Sequence, residues 1–144
     1  AVRAKAKIVS RDERDDGARQ ILNYGHTAGH ALEALGGYRR WIHGEAVALG
    51  MVIACALAER RGLLSPGDVE RQRSLLAALG FPPAARALAS VSARKLFSAM
   101  QLDKKKSAGN LRFVLTAGMG VASFGHHIGR AEVLAALQDA GCRP

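Results

Sequence analysis

Three histidines lie within one short segment and could bind a metal ion. His26 and His30 are four residues apart in "NYGHTAGHALEALGG", and His43 follows soon after the glycine pair Gly36-Gly37. Residues four apart on a helix project from one face, and neutral imidazole is a common ligand for zinc and similar ions. If the glycine pair lets the chain reverse, His43 can return to the face that carries His26.

Spacing alone favours His26 and His30 as the metal pair, although a helical histidine is more often a core or surface residue. The metalloprotease motif needs a glutamate directly after the first histidine. Thr27 stands there instead, so protease chemistry is not supported. His126 and His127 have no partner nearby in sequence, and we expect them at the solvent or at the end of a strand.

The elements that must position these histidines are mainly helical. A helix is predicted from about Arg19 to the glycine pair, and a buried helix from about Gly44 to "RRG". Ser65 and Pro66 predict the start of a third helix that ends at Gly80. A fourth follows Ser92, and a last runs from about Arg130 to Ala140. "LRFVLT" and "VASFGHHI", joined by "AGMG", read as a hairpin. Residues 1–10 resemble the end of a further helix, and "DKKKSAGN" is predicted as a loop.

Composition is that of one mainly α domain of 144 residues, with 49% hydrophobic and 5% aromatic residues. The apolar run from Ala46 to Ala58 is too short for a membrane span. The net charge of +9 is scattered apart from "DKKK", which has no interleaved aromatic residues, so a stacking platform for bases is not supported and no nucleic-acid partner is expected. The two cysteines lack metal-type spacing and indicate a reduced, cytoplasmic protein, with Cys55 buried and Cys142 exposed.

Two longer stretches resemble the 3-dehydroquinate synthase family and the wider group of sugar-phosphate cyclases. They are "DERDDGARQILNYGHTAGHALEALGGYRRWIHGEAVALGM" and "LDKKKSAGNLRFVLTAGMG". The resemblance covers nearly the whole chain, but it implies only the helical C-terminal domain of this fold, with one small β-hairpin. The family's N-terminal, NAD-binding domain would precede residue 1.

The resemblance implies different roles for the three histidines. The positions of His26 and His43 bind the metal in the family, zinc or cobalt, and the third ligand is a glutamate of the N-terminal half. His30 is implied to contact the substrate and relay protons, which differs from the pair that spacing favours. Asp15 stands where the family usually has glutamate, which keeps the charge on a shorter side chain.

The resemblance also implies a set of substrate contacts for a phosphorylated keto acid. Arg19 and Asn23 match substrate-contacting positions of the family, and Lys5 matches a lysine that contacts hydroxyl or carboxylate groups. One of Lys104 and Lys105 matches a lysine that contacts carboxylate or phosphate, with Lys105 favoured. Arginine and lysine are suited to such anions because they give charge-assisted hydrogen bonds.

The implied function is conversion of 3-deoxy-D-arabino-heptulosonate 7-phosphate to 3-dehydroquinate and phosphate, in the shikimate pathway. It proceeds through hydride transfer to and from NAD, loss of phosphate and an intramolecular aldol closure, in an enzyme that is implied to be a homodimer. The alternatives are another cyclase, acting on glucose 6-phosphate or sedoheptulose 7-phosphate, and a non-catalytic basic helical domain. We expect the 144 residues alone to bind metal weakly and to be inactive.

Overall fold

A computed structural model describes residues 18–105 and 111–144 of the chain, with side chains for 19–102 and 111–144. Within these ranges the fold is mainly helical with one hairpin, which confirms the predicted fold class. A 3-10 helix (Ala18–Asn23) precedes α1 (His26–Leu35), α2 (His43–Arg60), α3 (Pro66–Ala78), α4 (Ala84–Leu88), α5 (Ala93–Lys105), β1 (Arg112–Thr116), β2 (Ala122–His127) and α6 (Arg130–Asp139). Lys5, Asp15 and the helix predicted within residues 1–10 lie outside the described residues.

Helix α2 forms the centre of the domain. From Ala46 to Ala58 every residue is buried except Met51, which is partly buried. A helix that is apolar on all sides belongs in a core, and α1, α3, α6 and β1 pack around this one. Among the described helices, none is long and apolar enough to cross a membrane.

Glycines allow α1 and α2 to cross in backbone contact. A Cβ atom at Gly50 would overlap the carbonyl oxygen of Gly25, and a Cβ atom at Gly29 would lie 3.2 Å from the carbonyl oxygen of Ala46. Gly25 has φ of +82°, a conformation that side-chain-bearing residues rarely adopt. The crossing therefore depends on three positions that carry no side chain.

The bend between α1 and α2 is held by its own hydrogen bonds and by the next layer of the fold. The Tyr38 amide donates to the Glu33 carbonyl at 2.8 Å, as in a helix end with a left-handed glycine, here Gly37. The guanidinium of Arg40 lies 4.2 Å from the centre of the Trp41 ring and donates to the Ser90 hydroxyl at 2.6 Å. This hydrogen bond therefore connects the bend to the segment that follows α4.

The remaining elements begin and end close to their predicted positions. Ser65 caps α3, since its hydroxyl accepts from the Asp68 amide at 3.1 Å. Strands β1 and β2 pair antiparallel, with a register shift between Phe113 and Leu115. The Thr27 hydroxyl donates to the Arg112 carbonyl at 3.0 Å and so ties α1 to the hairpin.

Three predictions about local structure were wrong, and one helix was missed. The helix expected from Arg19 is interrupted at Gly25, because the left-handed backbone there cannot continue a helix. Helix α4 was not predicted, and α5 runs through Lys105 into the expected loop. Cys142 is buried, at 5% exposure, because the chain end pairs with Ser92 beside α5.

Candidate functional site

The structure brings the three histidines of the segment together at one corner of the α1–α2 pair. His26 is the first residue of α1, His30 lies one turn later, and His43 is the first residue of α2. The ring centres are 5.4 Å apart for His26 and His30, 5.6 Å for His26 and His43, and 6.2 Å for His30 and His43. These rings, with Glu33, are called the histidine corner below.

Hydrogen bonds distinguish two of the rings from the third. Nδ1 of His26 lies 3.3 Å from the Tyr24 carbonyl oxygen, and Nδ1 of His43 lies 3.1 Å from Oε1 of Glu33. Both oxygens accept, so each Nδ1 carries a proton and each neutral ring keeps a lone pair on Nε2. His30 forms no hydrogen bond with any other described side chain or backbone group. The arrangement leaves Nε2 of His26 and of His43 available for a metal ion.

The protonation of His26 suits the same role. Burial lowers the pKa of His26 below its ordinary value; the hydrogen bond to Tyr24 opposes this, and the neighbouring rings of His30 and His43 add to it. A lowered pKa keeps the imidazole neutral near pH 7, and only the neutral ring can bind a metal. His26 is partly buried, while His30 and His43 are exposed.

The donor set fits part of a metal site. Zinc–nitrogen bonds of about 2.0–2.1 Å place the centre of an imidazole ring roughly 3 Å from the ion. The 5.6 Å between the ring centres of His26 and His43 is therefore short enough for one shared ion. No group of three or more His, Cys, Asp or Glu side chains among the described residues could hold a metal ion by itself. This part of the chain thus offers two imidazoles and leaves the other ligands to be supplied from elsewhere.

The structure describes some of the predicted substrate-binding residues completely, some by their backbone only, and one not at all. Arg19 and Asn23 lie on the 3-10 helix that leads into the histidine corner, and the Asn23 side chain is exposed. Lys104 and Lys105 belong to the last turn of α5, a helix that packs against α1, but their side chains lie outside the described residues. Lys5 is outside them altogether.

Glu33 was missed by the sequence analysis, although a local signal was available. It follows His26 by seven residues and His30 by three, so the helical repeat places it on the same face of α1. Its side chain is only 14% exposed, while that of His43 is 61% exposed. The expectation that His126 and His127 lie at the end of a strand is confirmed, since they are the last two residues of β2, and Nε2 of His126 lies 2.7 Å from the hydroxyl of Ser123.

A separate concavity lies along the side of α2. This apolar cleft has a volume of about 330 Å³ and is lined from α2, α3, α6 and residues 81–85, with Leu49, Val52 and Phe81 among its walls. None of the three histidines of the corner lines it. Its carboxylates already have partners: Glu45 accepts from the Ile42 amide and Asp139 from Arg60.

The family model and the relatives that match this chain all point to the same enzyme family. Residues 1–106 match the family model described as 3-dehydroquinate synthase C-terminal. The chain is 45% identical over 135 residues to the 3-dehydroquinate synthase of Synechococcus sp. (strain CC9605), and 44% identical over 135 residues to that of Dichelobacter nodosus (strain VCS1703A). Each match covers 94% of this chain and 36% of the relative, so the chain spans about a third of these relatives' length.

Solved structures support the same fold. A 2-epi-5-epi-valiolone synthase from Streptomyces hygroscopicus subsp. jinggangensis, with NAD+ and Zn2+ bound, has a TM-score of 0.80 at 23% identity, covering 96% of this chain and 38% of that one. A 2-deoxy-scyllo-inosose synthase complexed with carbaglucose-6-phosphate, NAD+ and Co2+ has a TM-score of 0.78 at 26% identity, with the same coverage of both chains. The resemblance predicted from the sequence is confirmed: the chain belongs to the 3-dehydroquinate synthase C-terminal family.

Proposed function

We propose that the chain is the metal- and substrate-binding part of a 3-dehydroquinate synthase. In this proposal the complete enzyme converts 3-deoxy-D-arabino-heptulosonate 7-phosphate to 3-dehydroquinate and phosphate. The observation that carries the proposal is the pairing of His26 and His43, whose rings lie 5.6 Å apart with each Nδ1 held by an acceptor. The 42–48% identity to the matched synthases supports the choice of reaction.

His26 and His43 would hold a divalent ion, zinc or cobalt, through Nε2. A bound ion would supply polarisation of a substrate oxygen, and NAD would supply the hydride acceptor and donor. The NAD-binding domain and the remaining ligand, a glutamate, are proposed to belong to the N-terminal part of the longer, homodimeric enzyme. The solved 2-epi-5-epi-valiolone and 2-deoxy-scyllo-inosose synthases carry NAD+ with Zn2+ or Co2+, which supports this cofactor set.

The other residues of the corner would bind and orient the substrate. His30 is exposed beside both ligand rings, so its imidazole can accept a proton from the substrate and return it. Arg19 and Asn23, on the preceding 3-10 helix, would hold carboxylate and hydroxyl groups. Lys5, with Lys104 or Lys105, would add charge-assisted contacts to the carboxylate or phosphate.

Another sugar-phosphate cyclase activity is the second candidate, because the solved structures with matching folds are of that kind. Their identity to this chain is 23% and 26%, well below the 45% of the Synechococcus synthase. We therefore favour the substrate that bears a carboxylate. A comparison of turnover on the heptulosonate phosphate, glucose 6-phosphate and sedoheptulose 7-phosphate separates these activities.

Metal titration of three variants tests the ligand assignment. The chain is titrated with Co2+, alone and mixed with the N-terminal part of the Synechococcus synthase, as wild type, His26→Ala, His30→Ala and His43→Ala. Loss of either ligand is expected to weaken Co2+ binding by more than the roughly 10–100-fold that loss of a supporting residue costs, while His30→Ala stays near wild type. Equal losses in His26→Ala and His30→Ala, with none in His43→Ala, would overturn the assignment in favour of the pair that spacing suggests.

A further inference from the structure

We propose that Glu33 is a positioning residue for the metal ligand His43. Its carboxylate accepts a hydrogen bond from Nδ1 of His43 at 3.1 Å, and this bond leaves Nε2 as the nitrogen that can bind an ion, in a ring whose centre lies 5.6 Å from that of His26. The proposal rests on the proposed function, because it takes His43 to be a ligand. It adds a residue whose side chain need not touch metal or substrate.

The burial of the two partners shows which one positions the other. The Glu33 side chain is 14% exposed and is carried by the middle of α1, whereas the His43 side chain is 61% exposed at the first residue of α2. An exposed imidazole is free to rotate about its side-chain bonds unless a hydrogen bond holds it. The less mobile carboxylate therefore determines the orientation of the ring.

Comparison with His26 shows why a carboxylate is useful at this place. His26 receives the same kind of support from the Tyr24 carbonyl, which is part of the backbone directly before α1. His43 follows a bend, and among the described residues only Glu33 offers an acceptor to its ring. Carboxylates that hold the distal nitrogen of a metal-binding imidazole fix its tautomer, and their loss typically lowers metal affinity by about 10–100-fold.

A merely structural role for Glu33 makes different predictions. A negative charge near the start of α2 would stabilise that helix through its dipole whatever the state of His43. Glu45 provides the matched control: its carboxylate accepts from the Ile42 amide at 3.2 Å, at the same end of α2. Glu45→Gln removes the same charge at the same helix end, and Glu45 forms no hydrogen bond with the described histidines.

The test uses the nitrogen-15-labelled chain without metal, as wild type, Glu33→Ala, Glu33→Gln and Glu45→Gln. Two-bond nitrogen–proton correlations report which ring nitrogen of His43 carries the proton. We expect the Nδ1–H form in wild type and in Glu45→Gln, and a shift toward Nε2–H in Glu33→Ala. Glu33→Gln is expected to lie between them, because the amide both donates and accepts.

Co2+ titration of the same proteins, with His43→Ala included, gives the second readout. Both Glu33 variants are expected to lose about 10–100-fold in affinity and Glu45→Gln much less. A His43 tautomer that stays unchanged in Glu33→Ala, or a loss as large as that of His43→Ala, would overturn the positioning role. The tautomer result stands without any metal. Intact Co2+ affinity in His43→Ala would instead count against the proposed function.

Discussion

The histidine corner and the apolar cleft both border α2, yet they differ in almost every property of a binding site. The cleft is the more concave, with about 330 Å³ of space and mostly apolar walls. The corner is open, and two of its three rings are exposed. The carboxylates that line the cleft are held by neighbours, whereas each ligand candidate of the corner keeps one ring nitrogen without a partner among the described residues.

Because we propose the corner and not the cleft as the metal site, concavity alone would not identify the functional site of a chain that spans about a third of its relatives' length. In this proposal the other part of the protein would complete the site, so this chain by itself would show only an exposed group of ligand candidates. The α1–α2 crossing supports the corner directly, while the wall of the cleft contributes packing. Substitutions can therefore separate metal binding from stability.

The largest effect is expected for Gly50→Ala, at the crossing of α1 and α2. The added methyl group would overlap the backbone of Gly25, next to His26, and backbone atoms cannot yield as a flexible side chain can. We expect a loss of about 3 kcal/mol or more in the free energy of unfolding, together with weaker Co2+ binding. Urea denaturation and Co2+ titration measure the two effects.

Gly44→Ala is the control in the same helix, since a Cβ atom there has no neighbour within 4 Å. Alanine is the better helix former, so stability should rise by up to about 1 kcal/mol. If Gly50→Ala were as stable as Gly44→Ala, the close crossing of α1 and α2 would not exist in solution.

Leu49→Ala is expected to affect the cleft and spare the corner. Leu49 is 2% exposed and lines the cleft. Its truncation should cost about 2 kcal/mol, near the low end for buried leucines because the site opens into existing space. Co2+ affinity of the folded variant should match wild type. A drop in affinity comparable to that of His43→Ala would show that the two regions are coupled.

Tyr24→Phe tests a residue that connects the histidine corner to α3. The Tyr24 carbonyl accepts from His26, while its hydroxyl donates to Gln72 of α3 at 2.8 Å. Loss of the hydroxyl should cost about 1 kcal/mol at pH 7 and leave Co2+ binding nearly unchanged, because the carbonyl remains.

The difference in stability between wild type and this variant should depend on pH. Burial raises the pKa of Tyr24 from 10.0 to about 12, so the folded state holds the phenolic proton more tightly than the unfolded state does. The stabilising contribution is complete below pH 10 and is lost as the pH rises through 12. The stability gap between wild type and Tyr24→Phe should therefore narrow above pH 10 in urea denaturation; a gap that widened would contradict the assignment.

The smallest effect is expected at the far end of α2, where Arg61 donates to both carboxylate oxygens of Glu132, at 2.6 and 3.0 Å. Glu132→Gln should cost about 0.5–1 kcal/mol at pH 7. Hydrogen bonding from Arg61 lowers the pKa of Glu132, so the contribution is present above the carboxyl's unfolded pKa and disappears as the pH falls through the lowered folded value. Asp139→Asn, in the more exposed pair with Arg60, should cost less.

Local signals were enough to predict most of the elements. The apolar run from Ala46 to Ala58 predicted the buried helix, Ser65 predicted the start of α3, and "AGMG" predicted the hairpin turn. These features depend on neighbours in sequence, through helix capping and the alternation of apolar residues. The interruption at Gly25 could not be predicted from neighbours in sequence, because Gly25 lies against the backbone of α2 at Val47 and Met51.

The candidate site, too, could be predicted from the sequence only in part. The sequence by itself determined which residue types could bind metal and a phosphorylated acid, and its motifs determined the family. Spacing favoured His30 as the partner of His26, whereas the resemblance implied His43. Because the three ring centres lie 5.4–6.2 Å apart, the choice of His43 stays a prediction. Only the tertiary structure decided that Glu33 lies beside His43, because a hydrogen bond between α1 and α2 depends on how two helices pack and not on the spacing within either.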